Sequence, residues 1–89
     1  MSEISSLFEQ ASQAAKSLPQ RPDNDTMLKL YALYKQGSVG DVSGDKPGMF
    51  DFVAAAKYDA WERVKGVTQV SAQQQYIDLV KSLGGEVDG

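Results

Sequence analysis

A helix is most clearly indicated by residues 27–36 of this chain, Met27-Leu28-Lys29-Leu30-Tyr31-Ala32-Leu33-Tyr34-Lys35-Gln36. At about 100° per residue, Leu30 and Leu33 share one face, and the two tyrosines continue that face towards Lys35. Tyr31 and Lys35 are four residues apart, so their side chains are neighbours. An aromatic ring, a phenol hydroxyl and an ammonium group side by side can hold a flat ring and a phosphate. The alternative is an ordinary amphipathic helix, whose tyrosines shield the core edge and whose lysine extends into water.

Length and composition predict one small globular domain. The chain has 89 residues, enough for one modest core, so we expect a single domain over residues 1–89. A hydrophobic content of 42% and a charged content of 24% are ordinary for a soluble protein. No run approaches the roughly 18 apolar residues of a membrane span. The first residues have neither the basic nor the apolar region of a secretion signal.

Missing residue types narrow the classes of function. There is no cysteine, which excludes disulfides and thiol chemistry and fits a reducing compartment. There is no histidine, the commonest general base and transition-metal ligand. Hydroxyl nucleophiles therefore lack their usual base, and nothing points to a lysine in its place. The net charge of −3 opposes nucleic-acid binding, so an anionic ligand would need a local cluster of lysines. We expect no enzyme, no metal site and no nucleic-acid partner.

Apolar periodicity and capping signals predict four helices and no strand. The first helix is predicted over roughly residues 4–17, where Ser6-Leu7-Phe8-Glu9 is a capping-box pattern, and Pro19 and Pro22 stop it. The other three are predicted over about residues 25 to 36 or 38, 52 to 65, and 68 or 71 to 83. The N-cap candidates are Asp23, Asn24, Asp25, Asp51, Thr68 and Ser71.

The segment between the second and third helices is predicted to be a loop. Residues 39–50 contain three glycines and one proline, with a turn at Pro47-Gly48. A loop of this length inside a small domain is often functional. Four apolar residues suggest that it packs against the core: Val39, Val42, Met49 and Phe50.

A lysine interrupts the apolar stripe of the third helix. Four apolar residues lie within about 60° of Lys57 on the helical wheel: Val53, Ala60, Trp61 and Val64. An unpaired buried ammonium is costly, so Lys57 must extend to water beside Trp61, pair with an acid or meet an anionic ligand. Tyr76 is a similar case, because its hydroxyl lies in the apolar stripe of the fourth helix. It either contacts a ligand or caps the core.

Six short blocks follow one another over nearly the whole chain: Leu30-Tyr31 with Tyr34-Lys35-Gln36, Val39-Gly40-Asp41, Lys46-Pro47-Gly48-Met49-Phe50-Asp51-Phe52, Ala56-Lys57-Tyr58-Asp59-Ala60-Trp61, Lys65-Gly66 and Tyr76-Ile77. Together they resemble the acyl-CoA-binding protein family. The resemblance implies an all-α, up-down-down-up four-helix bundle, cytoplasmic and monomeric. Such a protein binds medium- to long-chain acyl-CoA esters, buffers them and transports them without catalysis or a cofactor. It can contact acyl-CoA-using enzymes or membranes transiently.

The resemblance also implies roles for nine residues. Those expected to hold the ribose 3′-phosphate are Tyr31, Lys35 and Lys57. Those expected to line the adenine site are Met27, Leu28 and Tyr34. Those expected at the coenzyme head group are Tyr76 and Lys16, and Phe8 is expected near the bound chain. The chain departs from many members at Tyr58, where they have a tryptophan, and at Val53-Ala54-Ala55, where they carry lysines.

Two other classes of function compete with a carrier. A helical protein–protein interaction module would use the tyrosines and Trp61 as a docking face. It would need an exposed apolar patch and would be indifferent to CoA. A hydrolase is disfavoured, because histidine and cysteine are missing.

Overall fold

The computed structural model describes residues 3–48 and 50–87, and this part of the chain holds four α-helices and no strand. They are α1 (Glu3–Ala14), extended by a 3-10 turn over Ala15–Ser17, α2 (Asn24–Val39), α3 (Phe52–Arg63) and α4 (Gln69–Ser82). The predicted all-α class is confirmed. Within the same residues, no helix combines the length and the hydropathy needed to cross a membrane.

Side-chain caps set three of the helix starts. Each cap accepts a hydrogen bond from a first-turn N–H that has no partner within the helix: Asp23 from Thr26 at 2.8 Å, Asp51 from Ala54 at 3.1 Å and Thr68 from Ser71 at 3.1 Å. The predicted start of the first helix, near residue 4, is confirmed within one residue, but the capping-box pattern at Ser6 does not mark that start. Because α1 already begins at Glu3, Ser6 lies inside the helix.

Contacts between helices give the direction of each one. Gln73, early in α4, donates to the carbonyl of Gly37, late in α2, so these two helices are antiparallel. α1 and α4 are parallel, since Phe8 meets Tyr76 midway along them and Pro19 adjoins Gly84 just beyond their ends. α2 and α3 are also parallel, because Tyr31 meets Lys57 and Lys35 meets Trp61. The order is therefore up-down-down-up, as predicted.

The hydrophobic core is built by α1, α2 and α4. Its buried members are Phe8, Ala11, Leu30, Leu33, Ala72, Tyr76, Ile77 and Val80. By contrast, α3 packs mainly on α2, and its buried residues are Ala60 and Trp61, near its C-terminal end. The N-terminal half of α3 is thus free to form one wall of a cavity.

The loop after α2 is held by polar contacts, which corrects the prediction of apolar packing. Phe50 is 92% exposed and Val39 is 59% exposed, while Val42 is half-buried. Met49 lies outside the described residues. Three contacts tie the loop to α3: the Trp61 indole N–H donates to Gly40 O at 2.8 Å, the Tyr58 hydroxyl donates to Gly44 O at 3.0 Å, and Lys46 pairs with Asp59 at 3.0 Å.

A buried glutamine joins this loop to the turn between α3 and α4. Gln36 is 1% exposed, and its amide donates to Asp41 Oδ1 at 2.8 Å and to Val67 O at 2.7 Å. The same Asp41 oxygen accepts the Gly66 N–H at 2.8 Å. These hydrogen bonds, first from Gly66 and then from Gln36, hold the pKa of Asp41 below its ordinary value.

Candidate functional site

An open cavity of about 890 Å³ lies between α1, α2 and α3, with Tyr76 contributed by α4. This volume is in the range of small-molecule sites, roughly 300–1,000 Å³. Much of the wall is apolar and comes from two helices: Met27, Leu28 and Leu30 from α2, and Phe52, Val53 and Ala56 from α3. A wall of this kind can cover an aliphatic chain or a flat ring.

The cavity is locally positive in a negatively charged protein. Its lining includes Lys16, Arg21 and Lys57, from three different segments of the chain, and among residues 3–48 and 50–87 no aspartate or glutamate lines it. The net charge of the whole chain is −3. A concave site lined by cations attracts anions in spite of the overall sign, because nearby charges dominate the field there. The arrangement suits a ligand that carries phosphate groups and an apolar part.

Three aromatic rings meet at one side of the cavity. Phe8 stacks on Tyr34 with ring centroids 5.4 Å apart and meets Tyr76 edge-on at 5.3 Å. Tyr34 and Tyr76 are 5.8 Å apart. Tyr76 is 4% exposed, and burial, with a smaller contribution from Tyr34, raises the pKa of its phenol. Tyr76 is therefore neutral at pH 7 and brings a neutral hydroxyl to the cavity.

Lys57 is at the cavity but is not buried, which corrects the interpretation of its apolar stripe. Its side chain is exposed, and its ammonium lies 5.3 Å from the centroid of the Tyr31 ring. Val53, one turn earlier, is 66% exposed. The stripe faces the core only near Ala60 and Trp61, because α3 packs on α2 at that end. The ammonium therefore has no burial cost to offset.

Lys35 points away from the cavity. Although it is four residues from Tyr31 on α2, its ammonium lies 4.9 Å from the centroid of the Trp61 ring. The two neighbours thus contact different residues of α3. Because α3 runs parallel to α2, it offers Lys57 to Tyr31 and Trp61 to Lys35.

Seven of the nine predicted ligand residues border the cavity: Lys16, Met27, Leu28, Tyr31, Tyr34, Lys57 and Tyr76. The other two, Phe8 and Lys35, do not. Phe8 is 8% exposed and supports the tyrosines from the core side. Which part of a ligand each of these residues contacts stays a prediction.

The sequence interpretation missed four cavity residues that matter chemically: Arg21, Asn24, Phe52 and Val53. Arg21 and Asn24 lie in or beside the link between α1 and α2, where no periodicity shows which way a side chain points. Phe52 and Val53 begin α3. The sequence signal for Phe52 and Val53 was the apolar run directly after the Asp51 cap. The hydrophobic core does not use these two side chains, which are 79% and 66% exposed.

Comparison with known proteins agrees with this geometry. The model of the family described as Acyl CoA binding protein matches residues 5–80. Acyl-CoA-binding protein homolog 1 of Caenorhabditis elegans is 50% identical over 76 residues, which is 85% of this chain and 88% of that protein. Acyl-CoA-binding protein of Saccharomyces cerevisiae is 46% identical over 80 residues, 90% of this chain and 92% of that protein. The crystal structure of Oryza sativa Acyl-CoA-Binding Protein 2 matches with a TM-score of 0.86 and 40% identity, covering 90% of this chain and 89% of that one.

Proposed function

Because the chain belongs to the acyl-CoA-binding protein family, we propose that it binds one medium- to long-chain acyl-CoA ester at a time, buffers it and transports it unchanged. The observation that carries this proposal is the cavity, which combines an apolar wall with three cations and, in the part of the chain that the structure describes, no lining carboxylate. An acyl-CoA ester has the matching composition, since it joins an apolar chain to a nucleotide with three phosphate groups.

The cations would hold the phosphates. In this proposal Lys57 and Tyr31 meet the ribose 3′-phosphate, and Lys16 and Arg21 meet the diphosphate of the head group. Charge-assisted hydrogen bonds of this kind contribute about 1.5–3 kcal/mol each. They distinguish an acyl-CoA from a free fatty acid, which offers only one carboxylate.

Lys35 reaches the 3′-phosphate only if its side chain leaves Trp61. A lysine has four rotatable side-chain bonds, and the contact it would give up is worth about 0.5–2 kcal/mol. A charge-assisted bond to phosphate is of equal or greater strength. The exchange is therefore energetically feasible, and we include Lys35 in the site on this basis.

The rings and apolar residues would hold the rest of the ligand. Met27, Leu28 and Tyr34 would line the adenine, with Tyr76 at the head group. The acyl chain of the ligand would be buried against the apolar wall. Each methylene contributes about 0.8 kcal/mol, so the upper limit for a sixteen-carbon ester is roughly 12 kcal/mol before the costs of association. The acyl chain should therefore contribute most of the affinity, whereas the phosphates should contribute most of the specificity.

The proposed role is carriage without catalysis. Of the described residues, Ser12 is the one serine bordering the cavity, and none of them brings an imidazole or a carboxylate to the cavity wall to activate it. The protein would act as a cytoplasmic monomer, with the chain forming a single acyl-CoA-binding domain. Acyl-CoA-using enzymes or membranes would be its transient contacts.

Native mass spectrometry tests the central proposal. The protein mixed with palmitoyl-CoA should appear as a complex of one chain and one ligand, and palmitate alone should give no comparable species. The competing function, a protein–protein interaction module, predicts no such complex. Failure to retain palmitoyl-CoA at micromolar concentrations would contradict the carrier proposal.

A further inference from the structure

Three large apolar side chains at the start of α3 face the solvent. Phe50 is 92% exposed, Phe52 79% and Val53 66%. We call these three residues the apolar lip. The core does not need them, since α3 is anchored near its other end by Ala60 and Trp61. Exposed apolar patches of roughly 300–600 Å² on a monomer are often functional.

The apolar lip is continuous with the cavity. Phe52 and Val53 form part of the cavity wall, while Phe50 lies just before them and outside it. We propose that the lip inserts into the interfacial layer of a lipid bilayer, so that the cavity opens towards the membrane. This inference rests on the proposed function, because the acyl chain of an acyl-CoA ester could then pass between the bilayer and the cavity without contacting water.

The size of the lip favours a bilayer over a second copy of the chain. An aromatic side chain offers on the order of 150–250 Å², so two phenylalanines and one valine supply roughly 400 Å². A stable interface between proteins needs about 800 Å² from each partner. Shallow insertion into a membrane needs only a few apolar side chains.

The order of residues along α3 also matches a bilayer leaflet. Lys57 follows Val53 by four residues, which places it about 6 Å further along the helix axis. With the lip among the acyl chains, the exposed ammonium of Lys57 would lie nearer the phosphate layer. Asp51 lies between the two phenylalanines, but its carboxylate accepts the Ala54 N–H at 3.1 Å and caps the helix N-terminus, which offsets its charge.

Charge should contribute little to this association. The net charge of −3 does not favour an anionic surface, so the binding energy must come from the apolar lip. Vesicles of phosphatidylcholine alone should therefore suffice. High salt should not release the protein, because salt screens charges and leaves apolar burial in place.

The test is flotation of the full, ligand-free chain with phosphatidylcholine vesicles. Phe50→Ser should lower the vesicle-bound fraction about fivefold or more. Val53→Ser and Val70→Ser form a matched pair, because they make the same change at 66% and 60% exposure on different helices. The first should weaken association and the second should not.

A second measurement separates this inference from the proposed function. Phe50 does not border the cavity, so Phe50→Ser should bind palmitoyl-CoA like wild type when no vesicles are present. If wild type binds palmitoyl-CoA but does not float, the membrane proposal is overturned and the carrier proposal stands. Equal loss of flotation in all three variants would also overturn it. The membrane proposal would likewise be overturned if wild type does not associate with vesicles but forms a dimer in sedimentation experiments, and Phe50→Ser abolishes that dimer.

Discussion

The ammonium of Lys35 lies over the indole ring of Trp61, 4.9 Å from its centroid, and so joins α2 to α3. Trp61 is the one tryptophan of the chain, and its N–H donates to Gly40 O at 2.8 Å. If Lys35 moves to a phosphate when ligand binds, the surroundings of this tryptophan change although the ligand cavity does not include it.

Tryptophan emission should therefore report on ligand binding. Addition of palmitoyl-CoA should change the intensity or the wavelength of Trp61 emission in wild type, because a cation leaves the ring. In Lys35→Met the change should be largely lost. Lys29→Met removes an exposed lysine from the same helix and should keep the wild-type response. A full response in Lys35→Met would show that the change in emission does not come from Lys35 leaving the ring.

Lys57 should discriminate between esters with and without the 3′-phosphate. Loss of one charge-assisted contact of about 1.5–3 kcal/mol should weaken palmitoyl-CoA binding by Lys57→Met roughly 10- to 150-fold. Dephospho-CoA esters should bind wild type weakly, and Lys57→Met should barely distinguish the two ligands. Losses from Lys35→Met and Lys57→Met should be non-additive if both cations meet one phosphate. An undiminished preference of Lys57→Met for the 3′-phosphorylated ester would refute the assignment.

Affinity should rise with chain length until the apolar wall is covered. Each added methylene contributes up to about 0.8 kcal/mol, or nearly fourfold in affinity. Titration calorimetry with a series of acyl-CoA esters should show this rise, followed by a plateau at longer chains. Free CoA with the same affinity as palmitoyl-CoA would mean that the apolar wall does not hold the chain.

The protein should not accelerate thioester hydrolysis. None of the described residues that line the cavity carries an imidazole, a thiol or a carboxylate. Free thiol can be followed with a chromogenic disulfide reagent, which the chain cannot consume because it has no cysteine. Release of CoA should be at or below the rate without protein. Faster release that persists through independent purifications would argue for an enzyme.

Asp41 should stabilise the fold above about pH 4 and lose this effect in acid. Its pKa is lowered in the folded protein, first by the Gly66 N–H and then by Gln36. In the unfolded chain an aspartate has a pKa near 3.9. The stabilisation is therefore complete above that value and disappears as the pH falls through the lower, folded-state pKa.

Urea unfolding at pH 7 and pH 3 checks this linkage. Asp41→Asn should be less stable than wild type at pH 7, and the gap should narrow at pH 3. Asp45→Asn is the control. It also removes one carboxylate from this loop, but Asp45 is not one of the residues that hydrogen-bond with Gln36 or Gly66. If the difference in free energy of unfolding between wild type and Asp41→Asn is the same at both pH values, the charge of Asp41 does not stabilise the fold.

The sequence by itself determined the helices and much of the core. Apolar spacing placed Leu30 and Leu33 on one inward face, and Asp51 marked a helix start, because both signals depend on backbone geometry within a few residues. The family resemblance added the order of the helices and seven residues that border the cavity. These are properties of the chain that local geometry and recognisable motifs carry.

Only the tertiary structure decided what surrounds each functional side chain. Periodicity put Lys57 in an apolar stripe, but whether a stripe is buried depends on where a neighbouring helix packs, and α3 leaves this part open. Periodicity also made Tyr31 and Lys35 neighbours on α2, but in the structure Tyr31 contacts Lys57 and Lys35 contacts Trp61. Arg21 reaches the cavity from a link with no periodic pattern. Each of these outcomes is set by contacts between segments distant in sequence, and the direction of such contacts is not encoded in the spacing of residues within one helix.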